Sequence, residues 1–291
     1  MSTLQNKIDF VALISATMAN PNGDPLNGDR PRTNYEGLGE ISDVCIKRKI
    51  RNRLQDMGER IFVQSAERAD DGFGSLAERA ESVLKGIQDE REYADKACKT
   101  WLDVRAFGQV FSYKLSDVYG KASKQKNEKG RSKGVRGPVS IHQAVSQSPV
   151  EVISMQITKS VNSIPVEGKS SDTMGMKHFV RFGLYKIKGS INVQLAEKTG
   201  FSENDAELIK KALETLFEND TSAARPDGSM QVERLYWFRH NCPSGQYPAA
   251  KVHNSVHCDL KNLNALPKSV EDYLITVESL EGLVPEVFSN D

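Results

Sequence analysis

Apolar side chains fall at every second position from Ile8 to Met18 (Ile8, Phe10, Ala12, Ile14, Ala16, Met18), and this period of two predicts a strand. Val11 and Leu13 make the alternate face partly apolar too, so the strand is expected at the centre of its sheet. From Asn20 to Asp29 the pattern breaks into Asn, Pro, Gly and Asp, residues that favour turns. Ser42 can cap a helix reaching about Met57, on which Ile46, Ile50, Leu54 and Met57 form one stripe. Residues 58–100 read as a polar, mainly helical insertion with a flexible Asp-Asp-Gly-Phe-Gly run at 70–74. Strand-like patterns return at 150–158 and 184–195, separated by an insertion at 159–180. Ser202 and Asp205 predict a capping box for a second amphipathic helix bearing Ala206, Ile209, Leu213 and Leu216. Further strand-like runs lie at 231–239 and 272–278.

Strand, helix, strands, helix, strand is an expanded ferredoxin-like order, so the predicted class is α+β. The 291 residues suit a single domain with insertions. No signal peptide or run of about 18 apolar residues is evident, and four dispersed cysteines without a CxxC pair point to reduced thiols in a cytoplasmic protein. Net charge is zero, from 39 basic and 39 acidic side chains, which by itself argues against a nucleic-acid binder. The charge is segregated, however. Residues 114–136 form a Gly/Lys/Ser/Gln loop with eight basic residues against two acidic, whereas 58–95 hold ten acidic against five basic.

Four constellations could carry chemistry. On the first helix, Lys47 and Arg51 are four apart on one flank, Lys49 and Arg53 on the other, and Arg48 is expected to point away from the core. Such a face is either solvated or a row of phosphate donors, and the helix N-terminus adds free N–H groups. The 114–136 loop could track a phosphate backbone or simply be solvated and disordered. His240, Cys242, His253, His257 and Cys258 invite a zinc reading, but the order matches no ligand pattern and a structural role is expected. Asp24 and Asp29 could act as a base or hold a divalent ion, yet in a Gly/Asn/Pro loop they more simply make the turn. No catalytic residue, metal or cofactor is expected.

In order along the chain, six blocks resemble the backbone subunit of CRISPR Cascade surveillance complexes, most like subtype I-C. They are Asn20 to Pro25, Pro31 to Thr33, Ile41 to Arg51, Trp101 to Phe111, Val135 to His142, and Thr173 to Phe179 running into Gly183 to Tyr185. The resemblance implies a modified RNA-recognition-motif palm, helical fingers at 58–100 and a thumb hairpin at about 155–180. It implies a non-enzymatic protein that stacks head to tail on CRISPR RNA, beside other Cascade subunits and without a membrane. It would hold the sugar–phosphate backbone while the guide bases pair with target DNA. RNA contacts are then expected from Asn20, Asn22, Arg30, Arg32, Ser42, Lys47, Arg48, Arg51, Arg105, Arg136 and Lys159. Met174, Met176, Lys177 and His178 are expected on the thumb, a methionine or the histidine wedging against a base. The alternatives are a metal-dependent, target-RNA-cleaving subunit of the type III kind, using Asp24 or Asp29, and a stand-alone RNA-binding protein.

Overall fold

The computed structural model describes residues 2–112, 133–158 and 174–290. β1 (Ile8–Ala19) leads into a short ribbon of β2 (Gly23–Asp24) and β3 (Arg30–Pro31), then β4 (Leu38–Ile41) and helix α1 (Asp43–Asp56). The insertion supplies α2 (Leu76–Leu84), α3 (Glu90–Thr100) and α4 (Leu102–Phe107), followed by β5 (Gly108–Phe111) and β6 (Lys133–Arg136). Next come β7 (Val139–Ile141), β8 (Ala144–Pro149), β9 (Val152–Thr158), β10 (Met174–Ile191), α5 (Val193–Thr199) and α6 (Glu203–Glu214). The chain closes with β11 (Met230–Arg239), α7 (Ala249–Asn254), β12 (Val256–Leu260), β13 (Tyr273–Val277) and β14 (Glu286–Ser289).

Among the described residues the main sheet runs β14-β11-β1-β10-β8-β4, with β7 and β9 also paired to β10. Its ladders are antiparallel. β1 is central, as its two apolar faces predict. Phe10, Ala12 and Ile14 face Ile46, Ile50 and Leu54 of α1 and Ile209 and Leu213 of α6. Val11 and Leu13 face Leu184, Phe238, Val252 and Tyr273 on the opposite side. Gly189 lies opposite Phe10, where a Cβ would overlap the ring. The missing side chain lets that ring stack on Trp237 at 5.4 Å.

α1 and α6 begin where the sequence places them. Ser42 Oγ accepts from the Cys45 N–H at 3.2 Å, and Ser202 with Asp205 completes the predicted capping box. The 58–100 segment is helical in its second half, where α2 and α3 lie; α4 extends the helical run to Phe107, and the insertion has a core of its own: Phe62, Leu84, Trp101, Val104 and Phe111.

Two boundaries need correction. The expected insertion at 159–180 ends earlier, because residues 174–180 pair with β9 in register from Met174↔Thr158 to Val180↔Val152 and continue into the central part of β10. The expected strand to residue 195 stops at Ile191. Asn192 accepts from the Leu195 N–H at 2.9 Å and starts a helix, so the apolar Val193 and Leu195 that extended the period of two belong to α5. Lys159, the loop from 114 to 132 and the stretch 159–173 lie outside the described residues. No helix among the described residues is long and apolar enough to cross a membrane.

Candidate nucleic-acid interface

The excursion after β1 is a closed, hydrogen-bonded unit. Asn20 is buried and its Nδ2 donates to the Asp29 carbonyl at 2.6 Å. Asp24 caps a turn of 3-10 helix by accepting from the Leu26 N–H at 3.3 Å, and pairs with Arg32 at 3.3 Å. Gly28 and Asp29, with φ of 60° and 55°, turn the chain back. Asn22 Oδ1 then accepts from both the Ser42 N–H (2.9 Å) and the Ser42 hydroxyl (3.0 Å). Asn22 and Ser42, both expected at the interface, thus join the excursion to the start of α1. The same contacts narrow the anion-binding capacity of that helix end: Ser42 Oγ is engaged, and Asp43 brings a carboxylate into the first turn.

The cations of α1 are mostly occupied. Arg51 Nε donates to Asp103 Oδ2 at 2.9 Å, and Asp103, fully buried, also accepts from the Phe62 and Val63 N–H groups. The Arg51 guanidinium also sits 5.0 Å from the Phe107 ring centroid. Arg48 does not point away from the core as expected. It is half-buried and donates to the Val63 carbonyl at 2.6 Å; burial, with Arg51 next to it, lowers its pKa. Lys49 is buried against Asp220, and burial lowers its pKa while Asp220 opposes the shift. Arg53 pairs with Glu218. Among the described residues Lys47 reaches Asp43, four residues back, at 3.0 Å. The basic row read from sequence is therefore chiefly a set of struts from α1 to the insertion and to the residues after α6. Helical spacing reveals two flanks; it does not reveal the carboxylates brought to them by Asp103 on one side and Asp220 on the other.

Arg105 is a strut too. It donates twice to Asp205, at 3.0 and 2.8 Å, so the carboxylate that boxes the start of α6 also holds α4. Arg136 stands exposed on β6.

A second cluster forms where the excursion meets the hairpin. Arg30 Nη1 lies 3.0 Å from Ser154 Oγ and 3.4 Å from His178 Nδ1, and those two atoms are 2.9 Å apart. Arg30 and His178, 148 positions apart, were both expected at the interface and are brought together here. Ser154 was missed, because only the β9/β10 register, Ser154↔His178, puts it beside them. Beyond this point Met174 and Met176 are exposed on β10, and Lys177 lies opposite Met155.

Asp9 and two of the five histidines are engaged in the fold. Burial alone would raise the Asp9 pKa, but hydrogen bonds from His240, Lys7 and Ser190 bring it below the ordinary value. His240 Nε2 contacts Asp9 at 2.8 Å while its Nδ1 accepts from the Gln246 N–H, leaving no lone pair for a metal. His253 Nε2 contacts the Gly189 carbonyl at 2.9 Å. Among the described residues no group of three or more His, Cys, Asp or Glu side chains is placed to hold a metal ion.

The model of the family described as CRISPR-associated protein Cas7 matches residues 6–278, taking in β1, the excursion, the insertion, the hairpin arms and β11. The chain belongs to the Cas7 family. A CRISPR-associated protein Cas7 from Haloferax volcanii is 28% identical over 291 residues, covering 96% of this chain and 83% of that one. Two solved structures, both at low identity, have the titles "CRISPR RNA-guided surveillance complex" and "CRISPR RNA-guided surveillance complex, pre-nicking". The first gives a TM-score of 0.46 at 17% identity over 80% of this chain and 68% of the other. The second gives 0.45 at 16% over 85% and 82%.

Proposed function

We propose that this Cas7 protein is a non-catalytic backbone subunit of a Cascade-type surveillance complex of subtype I-C. In this reading it stacks head to tail along CRISPR RNA beside the other Cascade subunits, in the cytoplasm. It grips the sugar–phosphate backbone and leaves the guide bases to pair with target DNA. The observation that carries the reading is the family match across 6–278, which includes both regions where expected contact residues meet. The strand order offers support for an RNA-recognition-motif palm. β1, α1, β8, β10, α6 and β11 follow a βαββαβ sequence, and the strands lie side by side as β11-β1-β10-β8.

Arg30, Arg32, Lys47 and Arg136 are the cations best placed to meet phosphate, with Lys177 and His178 on the hairpin. Asn20, Asn22 and Ser42 fix the surface that carries them. Arg48, Arg51 and Arg105 act through the fold, because protein acceptors already engage them. Met174 and Met176 are adaptable side chains suited to wedging beside a base. The type III cleavage reading is not favoured: Asp24 is held by Arg32 and by its capping role.

The test is to extract and sequence the RNA that copurifies with the protein and its genomic neighbours. Short RNAs sharing a repeat-derived end are expected, and a random sample of cellular RNA would defeat the reading. Arg30→Ala should then weaken RNA binding with stability unchanged within about 0.5 kcal/mol, as for other surface changes.

A further inference from the structure

Tyr35 is the most exposed large hydrophobic side chain among the described residues, with a relative exposure of 110%. It does not sit on a loose loop. The Glu40 N–H donates to the Arg32 carbonyl, Thr33 bridges Gly39, and the Asn34 N–H donates to the Leu38 carbonyl at 2.9 Å. Asn34 Oδ1 accepts from the Glu36 and Leu38 N–H groups at 3.0 and 2.9 Å, and the Gly37 N–H returns to the Asn34 carbonyl. Gly37 takes the φ of 77° that closes the turn, and its carbonyl accepts from the Val150 N–H, tying the tip to the end of β8. A tight hairpin from Arg32 to Glu40 thus holds up one phenol ring, and no described residue covers it.

Rigid mounting matters for energetics. A tyrosine whose backbone is already fixed loses little entropy on binding and offers a flat, amphipathic face. The arms of this hairpin run back to Arg32, and the preceding residues to Arg30, which touches the β9/β10 hairpin through Ser154 and His178. The neighbouring Glu36 carboxylate repels phosphate but does not oppose an uncharged base. We propose that Tyr35 is a base-stacking residue: its ring packs against one unpaired nucleobase of the bound RNA strand, while the adjacent arginines meet the backbone. This inference rests on the RNA-binding reading above and adds a contact to bases where that reading assigns contacts to phosphate.

Tyr35→Trp makes a direct probe, since both native tryptophans, Trp101 and Trp237, are buried. Its indole emission is expected to be quenched by a single-stranded oligouridylate and unchanged by an abasic ribose-phosphate oligomer of equal length. Tyr35→Ala and Tyr35→Leu should weaken binding to the oligouridylate by about 5- to 150-fold, the range for loss of one stacked base. Both should bind the abasic oligomer as the wild type does. If Arg30→Ala and Arg32→Ala impair binding while the Tyr35 variants bind normally and the indole is not quenched, stacking is overturned and the RNA reading stands. If the wild type binds neither oligomer, both readings fail together. An indole signal that follows protein concentration and ignores RNA would make Tyr35 a protein contact and overturn the proposal.

Discussion

Two groups of cations invite comparison: those on α1 and α4, and those on the excursion and hairpin. In the sequence the first group is the more conspicuous, with Lys47, Arg48, Lys49, Arg51 and Arg53 packed into seven positions. In the fold, Arg51 holds Asp103, Lys49 holds Asp220, Arg53 holds Glu218 and Arg105 holds Asp205. The second group is sparse and scattered: among the described residues Arg30 is met by the Ser154 hydroxyl and the His178 imidazole, and Arg32 by Asp24, itself partly exposed. A guanidinium already bound by a buried carboxylate has little left to offer phosphate, whereas one resting on a hydroxyl, an imidazole or a partly exposed carboxylate can exchange its partner. Density of positive charge along the chain is therefore a poor guide to where an anion binds; the acceptors supplied by distant segments decide.

The largest effect expected from this contrast is on stability. Asp103→Ala would strip Arg51 of its partner and leave the Phe62 and Val63 N–H groups unmet inside the fold. Removing one member of a buried pair costs about 3–5 kcal/mol. Urea denaturation followed by tryptophan emission should show it, since Trp101 packs against Phe62 at 4.8 Å. A cost below about 1 kcal/mol would mean that the α1 strut is not structural.

Next in size is Arg105→Met, which keeps the stem and deletes the two bonds to Asp205. Hydrogen bonds to charged groups contribute about 1.5–3 kcal/mol. The variant should lose stability in that range and keep its RNA affinity. A fall in affinity at full stability would return Arg105 to the interface.

Much of the scaffold was legible in the sequence because its signals are local. The alternation over Ile8 to Met18 marked a central strand, and Ser42 and Ser202 marked two helix starts, each a matter of a few neighbouring residues. β4, β7, β8 and β12 went unread, being three to six residues long, too short for period to separate from chance. At the candidate site, Asn22 and Ser42 were named but their mutual hydrogen bonds were not predictable from spacing. Ser154 carried no signal, since a serine in a strand becomes informative only once the register opposite His178 is known.

The insertion offers a pH test of the paired group. Arg79 is buried, and its hydrogen bonds to Asp71 hold that carboxyl below its ordinary pKa, against the opposing effect of burial. A carboxyl depressed on folding contributes stability that is fully present above its unfolded pKa of about 3.9 and is lost as pH falls through the lower folded value. Wild type and Asp71→Asn should therefore differ at neutral pH and converge below about pH 4. Equal pH dependence of the two would show that Arg79 relies on the Phe62 carbonyl and Gln64 alone.

The smallest effect tests the one α1 cation that fits neither group. Lys47 pairs with Asp43 one turn back, with both partners partly exposed, a geometry worth only about 0.3–0.5 kcal/mol. Since Asp43, its acceptor among the described residues, lies on the same helix, Lys47 ties α1 to no other described element and can swing to a phosphate at little cost. Lys47→Ala should thus leave the unfolding midpoint nearly unchanged. Its affinity for single-stranded RNA should fall modestly at low salt, and the slope of log affinity against log salt should become shallower by about 0.7, the value for one phosphate contact. The same measurement on Arg51→Lys, which keeps the charge beside Asp103, should give the wild-type slope. If Lys47→Ala keeps the full slope and Arg51→Lys reduces it, the division between bracing and binding cations on α1 is drawn the wrong way round, and Arg51 rather than Lys47 meets the phosphate.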